Sequence, residues 1–334
     1  MTRRPSIRDI AETTGVSAAT VSLALRDKGR MSDETRNRIK AAAVLAGYVP
    51  NSTARSLAGG RTQLIAISLP SIEVAPHELG SVEYFFRLLG AAAAKALELD
   101  HGLLVVSPSE APDRFAVDGA VVVDPSEDDR TIAAFDRLGL PVVTIGRRLG
   151  ECESRPHRSL VVNNDFIAST REVLDHLRDR GSSSLALFAC HPIDSFQQDS
   201  IDSYRDWCGR HGAEPKVVMA DSPMPEQAEL AAKGLFDGPN RIDGVYATVD
   251  TLAEAVLERA AGLGITVPAD LRIATCSDGV IARSTSPTLT TLDEKAVELG
   301  EAAVEMLIAA ILDPGSGPGF VQVSTELIVR ESTA

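Results

Sequence analysis

The stretch IRDIAETTGVSAATVSLAL, residues 7–25, decides how this chain is read. Ile7, Ile10 and Ala11 fall on one face of a helix. Ser6 stands as its N-cap and Asp9 occupies the capping-box position three residues on. Gly15 breaks the helix where a sharp turn needs a residue without a Cβ. Ser17 is placed to cap a second helix whose Val21, Ala24 and Leu25 face inward. Small Ala11 lets the two helices cross closely, and Val21 fills the angle between them. The pattern is that of a helix-turn-helix, whose second helix is of the kind that enters a DNA major groove. A plain helical hairpin has the same helix–Gly–helix spacing, so this stretch by itself leaves both readings open.

At 334 residues the chain has room for two or three domains around a large core, and 44% hydrophobic residues mark it as globular. Cys152, Cys190, Cys208 and Cys276 form neither a CxxC pair nor a Cys/His cluster of zinc spacing. They read as reduced, buried thiols of a cytoplasmic protein, with no metal or cofactor expected. The start, MTRRPSIRD, is basic but lacks the apolar run of a signal peptide. No apolar run reaches the roughly 20 residues of a membrane span; residues 90–97 are too few. The net charge of −14 argues against nucleic acid until its distribution is considered. Residues 1–62 carry 11 Lys/Arg and 5 Asp/Glu, a local charge of +6 that leaves −20 on the remainder. A basic head on an acidic body puts the phosphate-binding surface at the N-terminus.

A third helix is expected from Ser32, with Asp33 and Glu34 in its first turn, where the helix dipole favours acids. Ile39, Ala42, Ala43, Leu45 and Ala46 supply apolar residues to close a three-helix core, and Gly47 ends the helix. In GYVPNSTARSLAGGRT, residues 47–62, Asn51 caps a short helix whose Ala54, Leu57 and Ala58 share a face. Such a helix is marginal alone in water and needs a partner. It is either a flexible linker or a hinge that orders when paired with its twin on DNA, with Leu57 wedged between base steps.

GVSAATVSLAL followed by MSDETRNRIKAAAVLAGYVPNSTARSLAGGRT closely resembles the head and hinge of the lac repressor (LacI–GalR) family of bacterial regulators. The resemblance extends over nearly the whole chain. It implies that Ser17, Ala18, Ala19 and Thr20 open a recognition helix, and that Arg26, Arg30 and Ser32 fall where the family contacts phosphates or bases. It places Asn51, Ala54, Arg55 and Leu57 on the hinge contacts. Leu23 stands where many relatives carry Arg, and lacks the bidentate contact to guanine worth about 1–3 kcal/mol of discrimination. With Ala18 and Ala19 it offers instead a surface suited to thymine methyls.

After Thr62 the pattern changes to alternating strands and helices. Residues 64–69, 103–107, 119–123, 142–145 and 159–162 are short apolar runs suited to buried parallel strands. Residues 85–99 and 129–138 are helical stretches between them. A second series of strands follows at 185–189, 216–219, 244–248 and 271–275, with helices at 170–179, 201–211, 225–235 and 252–263. The expected fold is an all-α helix-turn-helix head plus an α/β body of two doubly wound parallel-sheet subdomains. By the family resemblance the body has periplasmic-binding-protein type I architecture, with crossovers near Asn163, Thr291 and Gln322. Strands at 320–323 and 327–329 would be split between the halves. The domains are then 1–49, a hinge at 50–62, and a body at 63–334 composed of 63–162 with 291–321 and 163–290 with 322–334.

Ligands of such folds bind at the carboxyl ends of the strands, between the halves. Pro70, Ser71 and Ile72 follow the first strand, Arg147 follows VVTIG, and Asp165 follows SLVVNN. Ser222 follows KVVMAD, Asp250 follows VYATV, and Ser277 and Asp278 follow LRIATC. These suit a small polar effector, a sugar or related metabolite, although each is also a residue type that caps a helix or makes a turn. Ser200, Ser203 and Tyr204 stand where relatives commonly show Arg-x-x-Gly-Phe/Tyr. Thr275, Cys276, Ser277 and Asp278 stand where they show Gly-Phe-Asp-Asp. Residues 109–117 form a short segment in which one helix of the first half is trimmed. The chain stops soon after its last strand without a leucine heptad tail, so a homodimer reading a near-palindromic operator is expected.

The reading is a transcriptional repressor of double-stranded DNA, switched by a small molecule in the body. An activator, or a regulator that no longer answers to an effector, fits the same residues. A ligand-binding module without DNA function is opposed by the intact head. An enzyme is opposed by the absence of GxGxxG after the first strand, of GxxxxGK[ST], and of any nucleophile–base pair at motif spacing.

Overall fold

The computed structural model describes residues 5–25, 27–48, 61–70, 80–106, 115–150, 160–191, 193–237 and 241–334, with the backbone alone at 80–82. The chain divides into two compact units, residues 1–62 and 63–334. The first holds α1 (Ile7–Thr14), α2 (Ala18–Leu25) and α3 (Asp33–Leu45). The short helix expected at 51–58 lies outside the described residues.

Local chemistry sets the head's helix ends. The Asp9 carboxylate accepts from the Ser6 N–H at 2.7 Å and from the Ser6 hydroxyl at 2.8 Å, so the acid makes the cap. Gly15 closes α1 in the left-handed region at φ 66°. Ser17 Oγ accepts from the Thr20 N–H at 3.1 Å, and Ser32 Oγ from that of Thr35 at 3.3 Å. Ile10, Val21, Ala24, Ile39 and Ala43 form the buried core. Leu45 and Ala46, expected in that core, are exposed, Leu45 at 88%. Ile39 and Ala43 are four residues apart and share a face, whereas Leu45, two residues further, is carried round to the opposite side. Tyr48 packs against the core instead.

The second unit is built from two lobes, each a six-stranded sheet. The first sheet has the order β11-β5-β4-β3-β1-β2, from β1 (Leu64–Ser68), β2 (Gly102–Val106), β3 (Ala120–Val123), β4 (Val142–Ile145), β5 (Leu160–Asn164) and β11 (Phe320–Val323). The second has the order β12-β10-β9-β8-β6-β7, from β6 (Leu185–Cys190), β7 (Val217–Ala220), β8 (Gly244–Ala247), β9 (Arg272–Cys276), β10 (Thr290–Asp293) and β12 (Glu326–Ile328). All neighbours run parallel except β12, which is antiparallel to β10. Helices α4 (Gly80–Glu98), α5 (Arg130–Leu138) and α11 (Ala296–Leu312) cover the first sheet. Helices α6 (Phe166–Asp179), α7 (Ser195–His211), α8 (Pro225–Phe236), α9 (Asp250–Gly262) and α10 (Val280–Ser284) belong to the second lobe. The central runs β1, β3, β4, β5, β6, β8 and β9 are buried because helices cover both faces of a parallel sheet, while the edge strands β2, β7, β11 and β12 are only partly so. Cys190, Cys208 and Cys276 are buried and free; Cys152 lies outside the described residues.

Three crossovers join the lobes. They fall between β5 and α6, between β10 and α11, and between β11 and β12, each a few residues later than the family resemblance implied. Residues 291–293 pair within the second sheet, and residues 163, 164, 322 and 323 within the first. The trimmed segment at 109–117 is described only from residue 115, where the chain runs to β3 without a helix.

Helix α11 crosses α4 at close range. A Cβ at Gly300 would stand 2.5 Å from the Leu88 carbonyl oxygen and 3.2 Å from the Ala92 nitrogen. Gly300→Ala is therefore expected to cost about 1–3 kcal/mol, read as a lower urea midpoint. Gly90→Ala on the open side of α4, where a Cβ meets nothing within 4 Å, is expected to stabilise by about 0.5–1 kcal/mol.

Candidate functional site

In the head, the N-terminal half of α2 faces outward. Ser17 and Ala19 are exposed, Ala18 and Thr20 half-buried, and Ser17 Oγ lies 2.8 Å from Thr20 Oγ1. Leu23 is 37% exposed and lies against the turn that follows α2; a Cβ on Gly29 would be 3.1 Å from its Cδ1. The guanidinium of Arg36 donates to the carbonyls of Lys28 and Gly29 at 3.4 and 3.2 Å, fixing that turn to α3. Arg30 and Ser32 are exposed beyond it. Together these form one polar and small-residue surface edged by cations. Arg26, Asn51, Ala54, Arg55 and Leu57 lie outside the described residues.

In the body, the strand ends bring a different set of groups together. Arg147 leaves β4 and its guanidinium binds the Asp199 carboxylate on α7 through Nε, at 3.3 Å, and Nη2. Its backbone N–H donates to Ser195 Oγ at 3.1 Å. Gly146 beside it is approached closely: a Cβ there would lie 3.3 Å from Asp124 Oδ1 and 3.4 Å from Ser195 Oγ. Asp124 and Arg147 belong to the first lobe and Ser195 and Asp199 to the second, so the lobes touch here. Around the second crossover, Ser277 donates to Glu294 Oε2 at 2.5 Å. Asp278 binds Arg330 at 2.5 Å and lies 3.6 Å from Arg283. A small recess with about 10 Å³ of free space, partly open to solvent, lies over Glu294 between Tyr84, Arg87, Ser277, Asp278 and Asp293.

Three of the candidates play other parts. Asp165 is exposed and caps α6, accepting from the Ala168 N–H at 3.0 Å. Ser200 is fully buried and accepts from Thr170 Oγ1 at 3.3 Å, where α7 packs on α6. Ser222 accepts from the Met224 N–H at 3.4 Å in the turn before α8. Tyr204 is likewise structural: its hydroxyl donates to the Leu185 carbonyl at 2.8 Å and accepts from the Lys216 N–H at 3.0 Å. Ser71 lies outside the described residues.

Asp250, by contrast, is 0% exposed at the first position of α9; no side chain bonds its carboxylate, which lies near the amides of Asp250 and Thr251 without well-aligned hydrogen bonds. Burial, helped by the charges of Glu254 and Glu294, pushes its pKa up to about 7 against the pull of nearby amides. Burial raises Glu294 to about 7 as well, opposed by the Ser277 hydrogen bond. Asp124 and Asp194 are also raised, by burial first; Asp124 in addition feels the charges of Asp194 and Glu294.

Residues 6–51 match the model of the bacterial regulatory proteins of the lacI family, and residues 174–333 match a periplasmic binding protein-like domain. The chain belongs to the LacI family. Among relatives of this family, it is 26% identical to an uncharacterized HTH-type transcriptional regulator, YvdE, of Bacillus subtilis (strain 168), over 98% of this chain and 99% of the other. It is equally 26% identical to the ribose operon repressor of the same organism, over 98% of each. The fold superimposes on the lac repressor dimer bound to operator and the anti-inducer ONPF with a TM-score of 0.81, at 19% identity and 99% coverage of both chains. It matches the transcriptional regulator CelR–cellobiose complex with a TM-score of 0.72, at 22% identity, covering 98% of this chain and 100% of that one. This LacI-family chain is thus a DNA-binding transcriptional regulator with a periplasmic-binding-like body. Among the described residues no helix is long and apolar enough to cross a membrane.

Asp124, Asp194, Asp199 and Glu294 were not singled out from the sequence of this LacI-family body. Three of them do carry the signal used for the others: Asp124 follows β3, Asp194 the end of β6, and Glu294 β10. Asp199 sits inside a helix and carries no such signal.

The raised pKa of Asp250 fixes a sign. The folded carboxyl holds its proton more tightly than the unfolded one, so its contribution to stability is complete below about pH 4 and is lost as pH rises through about 7. Asp250→Asn is expected to raise Tm by about 3–6 °C at pH 8, the gain vanishing by pH 4; calorimetry across that range reads it.

Proposed function

We propose that this LacI-family chain is a cytoplasmic, non-enzymatic, dimeric repressor whose grip on a near-palindromic operator is set by a small polar effector bound between the lobes of its body. The observation that carries the DNA half is the outward N-terminal half of α2, with Ser17, Ala18, Ala19 and Thr20 free of the core on a unit of charge +6. Residues 1–49 form the reading head, residues 50–62 the hinge and residues 63–334 the sensing body. Ser17, Ala18, Ala19, Thr20 and Leu23 read the major groove; Arg26, Arg30 and Ser32 hold the backbone. Asn51, Ala54, Arg55 and Leu57 work in the hinge. Arg36, fastened to the turn, keeps Leu23 and Arg30 in fixed relation to α3.

The effector half is supported by the positions of Arg147, Asp250, Ser277 and Asp278, each at or just beyond the carboxyl end of a strand, with Ser71 following the first strand in sequence. A relative named for a ribose operon and a neighbour solved with cellobiose support a small polyol-sized ligand. Ligand binding that favours one lobe arrangement changes operator affinity through residues 50–62, and a coupling of about 1–3 kcal/mol is enough.

The promoter beside the gene for this chain, as a labelled duplex, supplies the test. Binding is expected to be saturable there and to fall about 10³–10⁵-fold between 50 and 200 mM salt, as for six to ten phosphate contacts. Ala19→Glu sets a carboxylate against the duplex and is expected to weaken binding about 100-fold while the circular dichroism is unchanged. Equal affinity for the promoter and a random duplex overturns the reading.

A further inference from the structure

Two arginine–carboxylate pairs join the lobes, one in each direction. Arg147, just past β4 of the first lobe, sets Nε and Nη2 against the two Asp199 oxygens of α7 in the second. Arg283, on α10 of the second lobe, donates through Nη2 to both Glu83 oxygens of α4 in the first, at 2.8 and 2.9 Å. The pairs are crossed with respect to the sheets. β4 is third in its sheet, and β6, which leads into α7, is fifth in the other. β1, which precedes α4, is fifth in its sheet, and β9, which leads into α10, is third in the other. The three crossovers involve the first and second strands of both orders. Lobes joined at that edge alone are free to part or twist further along. Ion pairs at two separate places along the sheets resist both movements.

Neither pair is a loose surface contact. The Asp199 side chain is 8% exposed and that of Glu83 25%, so salt screens them less than a fully solvated pair. The Arg147 backbone takes part as well, its N–H donating to Ser195 Oγ in the second lobe at 3.1 Å. Arg283 is held from behind by its own lobe, where Nη1 donates to the Asp278 carbonyl at 2.5 Å. Its guanidinium is therefore oriented before it meets Glu83. A planar guanidinium against a carboxylate makes charge-assisted hydrogen bonds that are both strong and directional.

We propose that the pairs Arg147–Asp199 and Arg283–Glu83 form a latch that holds the lobes together without an effector. The chain's own side chains make the bridge between lobes that a ligand in the cleft would otherwise make. The balance between joined and parted lobes is then set by four residues of the body, and each pair adds to the population of the joined form. An effector that uses Arg147 has to displace Asp199, and so works against the latch. The latch itself is independent of any ligand. Its consequence for DNA rests on the coupling proposed above: where that coupling holds, undoing the latch changes operator affinity with no effector added.

The test is hydrogen exchange at the Arg147 amide of the full-length protein, read by mass spectrometry with no ligand added. That amide bonds across to the other lobe, so its exchange reports their parting. Glu83→Gln and Arg283→Gln are the decisive variants, because both act on the other pair and not on Arg147 itself. Each is expected to speed exchange at Arg147 about 3–5-fold, with the amides of β3, inside the first sheet, keeping their wild-type rates. The double variant should do no more than either single one, since all three lose the same pair. Asp199→Asn should speed exchange at least as much. Promoter affinity of these variants, without ligand, is expected to shift about 5-fold or more. Exchange at Arg147 that neither Glu83→Gln nor Arg283→Gln moves, in protein whose β3 amides stay protected, overturns the latch. Effects of the two that simply add overturn it as well, because the residues then act apart. Faster exchange with unchanged promoter affinity supports the latch and overturns the coupling through residues 50–62.

Discussion

One buried side chain holds the three passages between the lobes together. Asn164, the last residue of β5, donates through Nδ2 to the Glu294 carbonyl at 3.2 Å and to the Val323 carbonyl at 2.9 Å. Those three residues stand at the first, second and third crossovers. Backbone that leaves one sheet for another has carbonyls with no strand to accept, and a buried carbonyl without a donor is costly. A single amide with two donors answers two of them at once. The lobes are therefore joined by a stitched bundle and not by three independent tethers. The three passages therefore lie within one hydrogen-bonded cluster, and Glu294 belongs to it.

That position gives the acidic groups their character. Glu294 is in that cluster, Asp124 ends a strand in one lobe, and Asp194 and Asp250 follow strands in the other. A parallel sheet directs every strand's carboxyl end to the same edge, so two such sheets joined by the crossovers gather loop residues distant in sequence. The gathering is indifferent to residue type; it is the chemistry at those places that makes this body acidic. The same geometry explains why Gly146 matters. It sits where Asp124 and Ser195 come within reach of one another, at φ 86°, and both its conformation and the space around it disfavour a side chain.

How much of this was legible in the sequence depends on how local the cause is. Helix ends made by one side chain and one amide were legible: Ser17, Ser32 and Gly15 do what their types do in any protein. The central strands of the body were legible because burial on both faces leaves a continuous apolar run. The fate of the acids after the strands was not. Asp165 and Asp250 look alike in sequence, each following an apolar run and preceding a helix. Asp165 caps its helix from the surface, with its carboxylate on the Ala168 amide, while Asp250 lies one position further into its helix and is fully enclosed. Which of the two happens is set by what packs over the helix start, and that comes from segments far away in the chain. Leu45 illustrates the same limit within the head, where a residue of the right type at the wrong angle ends up outside.

The stretch from Ser195 to Tyr204 carries the argument about charge one step further. Where relatives commonly place an Arg, this chain has Ser200, buried against Thr170 and unable to reach a ligand. One residue earlier, Asp199 faces the other lobe and captures Arg147. The helix thus contributes an anion where a cation would be expected, and the anion removes from service the cation nearest to it. Ser277 stands where relatives place an acid, and it donates its proton toward Glu294 instead of accepting from a ligand. Each change alone reads as a lost contact. Together they change one junction: Arg147 is held by Asp199, and the Ser277 hydroxyl by Glu294.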